Sequence, residues 1–284
     1  MLSQLDGKRI ALFGASGGIG SALCRYILSL GGTLITVDRN PKKSAALVQA
    51  LRAEFPQGQI TPLLADLEDL SQVKRLCGEL ITLDVDMLIH NAGAYSIPRR
   101  KCDTGLDNVF QINFFSPYYI TRQLLPYLEN KGGRIVAVGS IAHTYSKTDP
   151  EDIDFSTRKQ ANLAYGNAKR YLMFSLHSLM AEHPGVHFAL THPGITFTNI
   201  TAHYPKWLFA IIKHPMKVIF MPAKKAALCI LEGLFRDTSP YRWIGPSIFH
   251  VWGKPRCSAL RSAAQEEICR IDRTARELYG NIKI

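Results

Sequence analysis

Tyr165 and Lys169 stand four positions apart in a stretch, Asn162 to Ala181, whose apolar spacing predicts a helix, so both side chains should project from one face. A phenol ionises near pH 10, too high for acid/base work at neutrality. An ammonium one turn away stabilises the phenolate and should draw that proton affinity down. By itself Tyr-x-x-x-Lys arises by chance on many helices, as a surface tyrosine beside a solvated lysine, so its weight comes from its position. Ser140 follows a predicted strand, Arg134 to Val138, where its hydroxyl can donate to the oxygen of a reacting group or simply cap a turn. Asn113 lies among Val109, Phe110, Ile112, Phe114 and Phe115, and a buried amide needs partners, here a backbone carbonyl or a relay water for Lys169.

Positioning these groups requires a scaffold, and the chain supplies a regular one. Short apolar runs at Arg9 to Phe13, Thr33 to Val37, Gln59 to Leu64, Met87 to His90, Arg134 to Val138 and Val186 to Thr191 read as strands. Amphipathic stretches alternate with them: Ser21 to Leu30, Ser44 to Glu54, Leu70 to Ile81, Asp103 to Leu128 and Asn162 to Ala181. This βαβα order predicts an α/β fold, a doubly wound parallel sheet, which takes its ligands at the carboxyl edge of the strands. No repeat, low-complexity tract or linker divides the chain, so residues 1–284 read as a single domain. The final third, punctuated by Pro222, Pro240 and Pro246, reads as irregular until an amphipathic helix from Ala259 to Leu278.

The first strand runs straight into Gly14-Ala15-Ser16-Gly17-Gly18-Ile19-Gly20 and then a helix. Glycines let backbone turn sharply and approach a pyrophosphate, while the helix start offers free N–H groups and partial positive charge to the anion. A glycine run alone is also just a tight strand-to-helix turn. Here an acid, Asp38, ends the second strand about twenty positions on, where a ribose-binding carboxylate is expected. That carboxylate favours NAD, because it accepts ribose hydroxyls and repels a 2′-phosphate. Arg39 beside it keeps NADP as the alternative. Asp38 capping the turn at Asn40-Pro41 is the structural alternative. Asp66, with Leu67, follows the third strand where adenine would lie, and Asn91-Ala92-Gly93 follows the fourth, where backbone would pass close to the cofactor.

In this order, Gly14-x-x-x-Gly18-x-Gly20, Asp66, Asn91-Ala92-Gly93, Asn113, Ser140, Tyr165-x-x-x-Lys169 and Pro193-Gly194 resemble the short-chain dehydrogenase/reductase family, classical type. The resemblance covers about residues 8–200 and implies a Rossmann fold with an NAD(P) cofactor. It also implies that Ser140 orients a carbonyl, Tyr165 exchanges the proton, Lys169 grips the nicotinamide ribose and Asn113 supports a proton relay. The Pro193-Gly194 turn with Thr196 and Thr198 is similar to the loop that contacts the nicotinamide amide and pyrophosphate. Phe13 and His90 replace the usual threonine and asparagine, departures that would weaken loop bracing. His90 and the Gly14-x-x-Gly17-x-x-Gly20 reading are reminiscent of the extended branch of nucleotide-sugar epimerases, whereas length and the Asn91-Ala92-Gly93 turn favour the classical one. The long Ser140-to-Tyr165 interval resembles the retinol dehydrogenase-like subgroup, implying a lipophilic alcohol or carbonyl substrate. The interval itself, His143 to Ala161, reads as polar loop beside the site, where His143 either touches substrate or is simply solvated.

Composition narrows the partners. The chain has 284 residues with 34 Lys and Arg against 23 Asp and Glu, a formal charge of +11. The basic residues form short separated clusters without an aromatic RNA signature or a recognition helix, which argues against nucleic acid. The six cysteines show no CxxC pairing, and a metal site is not expected; they read as reduced thiols of an intracellular, cytoplasmic protein. A lid over the substrate is expected at about residues 195–225, with a C-terminal extension at about 245–284. The apolar and basic run Tyr204 to Met221 is too broken by Pro215 to span a bilayer, so it packs as lid or lies on a membrane surface. The expected function is hydride transfer between a nicotinamide and a small-molecule alcohol or carbonyl. The alternatives are a non-catalytic dinucleotide sensor or scaffold, and epimerase chemistry. Oligomeric state is not readable.

Overall fold

The computed structural model describes residues 4–195, 221–238, 240–260 and 264–282. Its centre is one eight-stranded sheet in the order β3-β2-β1-β4-β5-β6-β7-β8. The strands are β1 (Arg9–Phe13), β2 (Thr33–Asp38), β3 (Ile60–Leu64), β4 (Met87–His90), β5 (Arg134–Val138), β6 (His187–Thr191), β7 (Arg242–Ile248) and β8 (Trp252–Ala259). Neighbours from β3 across to β7 run parallel, and β8 returns antiparallel to β7. The inner strands are almost wholly buried, β5 along its full length, as expected where helices cover both faces.

Helices α1 (Gly18–Ser29), α2 (Pro41–Glu54) and α3 (Leu70–Thr82) follow the first three strands. After β4 come α4 (Asn108–Phe110), a π-helical segment (Gln111–Phe115) and α5 (Ser116–Glu129); α6 (Ala161–Ala181) precedes β6, α7 (Ala223–Glu232) precedes β7, and α8 (Gln265–Asn281) ends the chain. One face of the sheet packs Leu76 of α3, Leu124 of α5, Leu172 of α6 and Ile271 of α8. Leu23 of α1, Leu51 of α2 and Ile230 of α7 fill the other. The strand order reverses between β1 and β4, so the turns leaving these two strands meet at the carboxyl edge, the switch point where ligands of such sheets bind.

The first six strands fall within one residue of the sequence expectation, while three regions differ. The described part of the final third forms α7 and the β7–β8 hairpin rather than irregular chain, and Ala259, expected to open a helix, closes β8 instead. The helix expected from Asp103 begins at Asn108, because the Asp107 carboxylate caps it by accepting from the Val109 and Phe110 N–H groups. The interval after Ser140 begins with a 3₁₀ turn, Ile141–Thr144, and is tied down rather than free. His143 is 1% exposed, its ring edge-on to Trp243 at 5.5 Å, so the expectation of a solvated histidine is corrected: β7 brings an indole over it from a hundred residues away.

Glu267 at the start of α8 accepts from Arg170 of α6 through both carboxylate oxygens, at 2.8 and 2.7 Å, and from the N–H and hydroxyl of Thr148 at 2.9 and 3.0 Å. Arg170 in turn donates to the His143 carbonyl at 2.9 Å. Among the described residues no helix is long and apolar enough to cross a membrane and no cluster of side chains could hold a metal ion. All six cysteines are unpaired.

Candidate active site

The β1–α1 turn is built around two contacts that a side chain would break. Gly14 takes φ +74°, and a Cβ on it would stand 2.9 Å from the Ala92 Cα in the turn after β4. A Cβ on Gly20 would come 2.1 Å from the Gly14 carbonyl oxygen, so the first turn of α1 can pack on the loop only with glycine there. Asn91 stitches the two turns together, its amide donating to the carbonyls of Phe13 and Gly14 at 3.1 and 3.2 Å. The expected weakening by Phe13 and His90 is offset by their mutual stacking at 5.0 Å and by a His90–Thr121 hydrogen bond of 3.0 Å. Burial, and then the nearby Lys169 charge, push the His90 imidazole down to about 3, so it packs as a neutral ring.

Gly17 caps α1 with no side-chain hydrogen bond and no acid in the first turn, so the helix start, including Gly18 and Ile19, presents its N–H groups to an anion. Asp38, only 3% exposed, accepts from the Ser16 N–H and hydroxyl, both at 2.8 Å, through one carboxylate oxygen, while its other oxygen is buried without a partner. A buried carboxylate oxygen lacking a donor is unfavourable unless a ligand supplies one, and the hydroxyls of a ribose would do so. These residues therefore fit a dinucleotide. Arg39 points its exposed guanidinium to Glu68, which Arg100 also engages. In the turn after β3 the Asp66 carboxylate accepts from the Glu68 N–H, and the Leu67 carbonyl is held by the Ser116 hydroxyl at 2.6 Å.

The four residues singled out for chemistry converge. Ser140 hydrogen-bonds Tyr165, and the Ser140 hydroxyl also accepts from the Ala142 N–H at 3.2 Å. The Lys169 ammonium donates to the Val138 carbonyl at 2.9 Å and lies 5.8 Å from the centre of the Tyr165 ring. A Cβ on Gly93 would stand 2.9 Å from the Asn113 amide oxygen and 3.7 Å from the Lys169 nitrogen, which places these two polar groups under the glycine of the β4 turn. Asn113 sits in the π-helical segment and is fully buried. Its amide donates to the carbonyls of Ala94 and Val109, both at 2.8 Å, and accepts from the Ala94 N–H at 3.2 Å. The backbone carbonyl expected as one of its partners is in place. The extra residue of the π turn is what re-aims this amide toward the strand edge.

The lowering expected from the ammonium, helped by the positive charge of an oxidised nicotinamide, concerns the cofactor-bound chain; in the chain alone burial governs both groups. Burial pushes the Tyr165 hydroxyl up to about 12, with the Ser140 hydrogen bond acting against it and Tyr145 and Tyr95 reinforcing it. Burial lowers Lys169 to about 8. The ammonium makes its hydrogen bond to the Val138 carbonyl rather than to the phenol. Tyr95, edge-on to the Tyr165 ring at 5.3 Å, and Tyr145 were not singled out from the sequence. Tyrosines in loops carry no pattern there, although Tyr95 falls two residues after the Asn91-Ala92-Gly93 turn. Pro193 and Gly194 follow β6 in a turn with Gly194 at φ +84°. Thr196, Thr198 and most of the expected lid, Tyr204 to Met221, lie outside the described residues.

A sequence model of the family described as short chain dehydrogenase matches residues 8–208. The chain belongs to the short-chain dehydrogenase family. It is 28% identical to retinol dehydrogenase 14 of Mus musculus over 214 residues, 70% of this chain and 64% of that one, and 26% identical to polyprenol dehydrogenase of Homo sapiens over 207 residues, 69% and 63%. The chain thus spans less than two-thirds of the length of these relatives. In fold it is similar to a short-chain dehydrogenase from Sphingobium yanoikuyae in complex with NADPH, with a TM-score of 0.63 at 18% identity over 97% of this chain and 96% of that one. It is likewise similar to a 3-oxoacyl (acyl-carrier-protein) reductase from Agrobacterium tumefaciens with NADP bound, with a TM-score of 0.64 at 20% identity over 84% and 90%.

Proposed function

We propose that the chain is a single-domain NAD(P)-dependent oxidoreductase interconverting an alcohol and a carbonyl compound, with Tyr165 as its acid/base, residues about 195–225 as lid and about 245–284 as C-terminal extension. The observation that carries this reading is the placing of Asn113 and Lys169 under the Gly93 turn, with Lys169 beside Tyr165 and Tyr165 bonded to Ser140, next to a glycine loop that fits a dinucleotide. The nicotinamide, when bound, supplies the hydride acceptor or donor. Ser140 donates to the substrate oxygen and holds it against the Tyr165 hydroxyl. Tyr165 takes the alcohol proton in oxidation and returns it to the carbonyl oxygen in reduction. Lys169 places positive charge beside the phenol and is within reach of a ribose, and Asn113 fixes the Ala94 turn above it. Pro193 and Gly194, with Thr196 and Thr198, serve the nicotinamide end of the cofactor, while Asp66 and Leu67 serve the adenine end.

Burial pushes Tyr165 up to about 12, so its hydroxyl is protonated at neutral pH and must lose that proton before it can take one from an alcohol. Initial rates of alcohol oxidation should therefore climb through the alkaline range while carbonyl reduction does not. A flat oxidation profile across that range contradicts the assignment of Tyr165.

The cofactor reading is NAD. Asp38 offers a buried oxygen to the ribose hydroxyls and repels a 2′-phosphate, and Arg39 is engaged with Glu68. The solved relatives named above hold NADP or NADPH, so the choice rests on Asp38. Asp38→Asn keeps the acceptor for Ser16 but removes the charge. Fluorescence titration should show NADH affinity falling about 10- to 100-fold, the worth of a charge-assisted hydrogen bond, and the gap to NADPH narrowing. Tighter NADPH than NADH binding by the unmodified protein would refute the preference. The names of the relatives, retinol and polyprenol dehydrogenases, support a lipophilic alcohol or carbonyl as substrate.

A further inference from the structure

The tip of the β7–β8 hairpin lies at the carboxyl edge of the sheet, the same edge as the reactive residues. Its inner side touches the turn after β6: the His192 ring meets the His250 carbonyl at 3.1 Å, and the Val251 carbonyl stands where a Cβ on Gly194 would fall. Its outer side is apolar and exposed. Phe249 is 90% exposed and Ile248 is 55% exposed. Both tip residues, Phe249 and His250, hold positive φ, +48° and +58°, in a turn that ordinarily selects Asn and Gly. A bulky side chain kept in a left-handed turn and pushed into water opposes both backbone preference and hydration, and such features gather at functional sites.

The charge around the tip has one sign. Ile248 pairs across the strands with Trp252, whose ring carries the Lys225 ammonium at 5.6 Å. Lys254 and Arg256 follow Trp252 on the same face of β8, both exposed, and Lys224 is exposed beside Lys225. No Asp or Glu occurs between Thr238 and Gln265. Aromatic and aliphatic side chains leading, with cations just behind, match the order of a bilayer face, where apolar groups enter the headgroup boundary and lysines meet lipid phosphates.

We propose that the β7–β8 tip docks on an anionic membrane surface, with Ile248 and Phe249 entering the headgroup boundary and Lys224, Lys225, Lys254 and Arg256 meeting the phosphates. Because the tip shares an edge with Ser140 and Tyr165, docking would turn the mouth of the site toward the bilayer, from which a lipophilic substrate could enter. Docking needs only the tip and its charges; the delivery of substrate rests on the oxidoreductase reading above.

The test is co-sedimentation of the full chain with phosphatidylcholine vesicles and with mixed phosphatidylserine–phosphatidylcholine vesicles. Partitioning should favour the anionic vesicles and fade as salt is raised. The double variant Ile248→Ser, Phe249→Ser should lose roughly tenfold or more in partitioning, and Lys254→Ala with Arg256→Ala about fivefold per cation. Both variants should oxidise a short water-soluble alcohol as the unmodified chain does. Equal partitioning to neutral and anionic vesicles, or an unchanged serine variant, overturns the proposal. So does a concentration-dependent dimer that the serine variant dissolves while neither binds vesicles, since the tip then meets a second copy. Tip-dependent vesicle binding by a chain that oxidises no alcohol would sustain docking and overturn the oxidoreductase reading alone.

Discussion

Tyr165→Phe should abolish turnover while leaving cofactor affinity within about twofold of the unmodified chain. The substitution removes one oxygen and nothing else: the ring keeps its edge contact with Tyr95, and Lys169 keeps its hydrogen bond to Val138. What is lost is the hydroxyl that, on the proposed reading, exchanges a proton with an oxygen held by Ser140. A positioned acid/base is worth roughly 10² to 10⁴ in rate, so initial rates should fall by that factor with dinucleotide titration run in parallel. A phenylalanine variant that turns over normally means that the proton passes elsewhere. One that loses cofactor as well as rate means that the hydroxyl serves binding. A dinucleotide sensor would show no alcohol-dependent turnover to lose.

Glu267→Ala should produce the largest loss of stability, about 3 kcal/mol, read as a fall in Tm of roughly 6 to 12 °C. The carboxylate is 7% exposed and its Arg170 partner 8%, so removing it leaves a guanidinium charge buried and the Thr148 N–H without an acceptor. The damage should reach the reactive residues, because Arg170 adjoins Lys169 in α6 and holds the His143 carbonyl behind Ser140. Burial opposes ionisation of Glu267, but the bonds from Arg170 and Thr148 prevail and hold its pKa at about 2, below the ordinary 4.5. A carboxylate with a lowered folded-state pKa contributes stability above the unfolded value and loses it as pH falls toward the folded one. The unmodified chain should therefore lose this part of its stability between about pH 4.5 and 2, and the alanine variant should lack that component. Matching Tm values at neutral pH would show that the pair contributes nothing net.

The parallel core of the fold was legible because its strands are buried on both faces, and runs such as Arg134 to Val138 then carry little but apolar residues. The β7–β8 hairpin was not. Pro246, Pro255, Gly245 and Gly253 interrupt it, and Lys254 to Ser258 carry no β-branched residue, so nothing marks β8 as a strand except its pairing with β7. With β8 unmarked, Ala259 reads as the start of a helix although it closes the strand. The site residues could be named because glycine, asparagine and Tyr-x-x-x-Lys fall in a fixed order against the strands. Their geometry could not be read. The π turn that aims Asn113, the Val138 carbonyl that holds Lys169, and the Trp243 indole that buries His143 all arise from tertiary packing with no local signal. The raised proton affinity of Tyr165 has the same origin, since burial is a property of the whole fold.

The most direct test of the account follows a labelled hydrogen. The chain is incubated with NAD and a panel of long-chain alcohols deuterated at the carbinol carbon, and the recovered cofactor is examined for deuterium on the nicotinamide ring. The account predicts stoichiometric transfer from at least one lipophilic alcohol, abolished by Tyr165→Phe. Cofactor that binds tightly yet gains no deuterium from any alcohol, with either NAD or NADP, would contradict it.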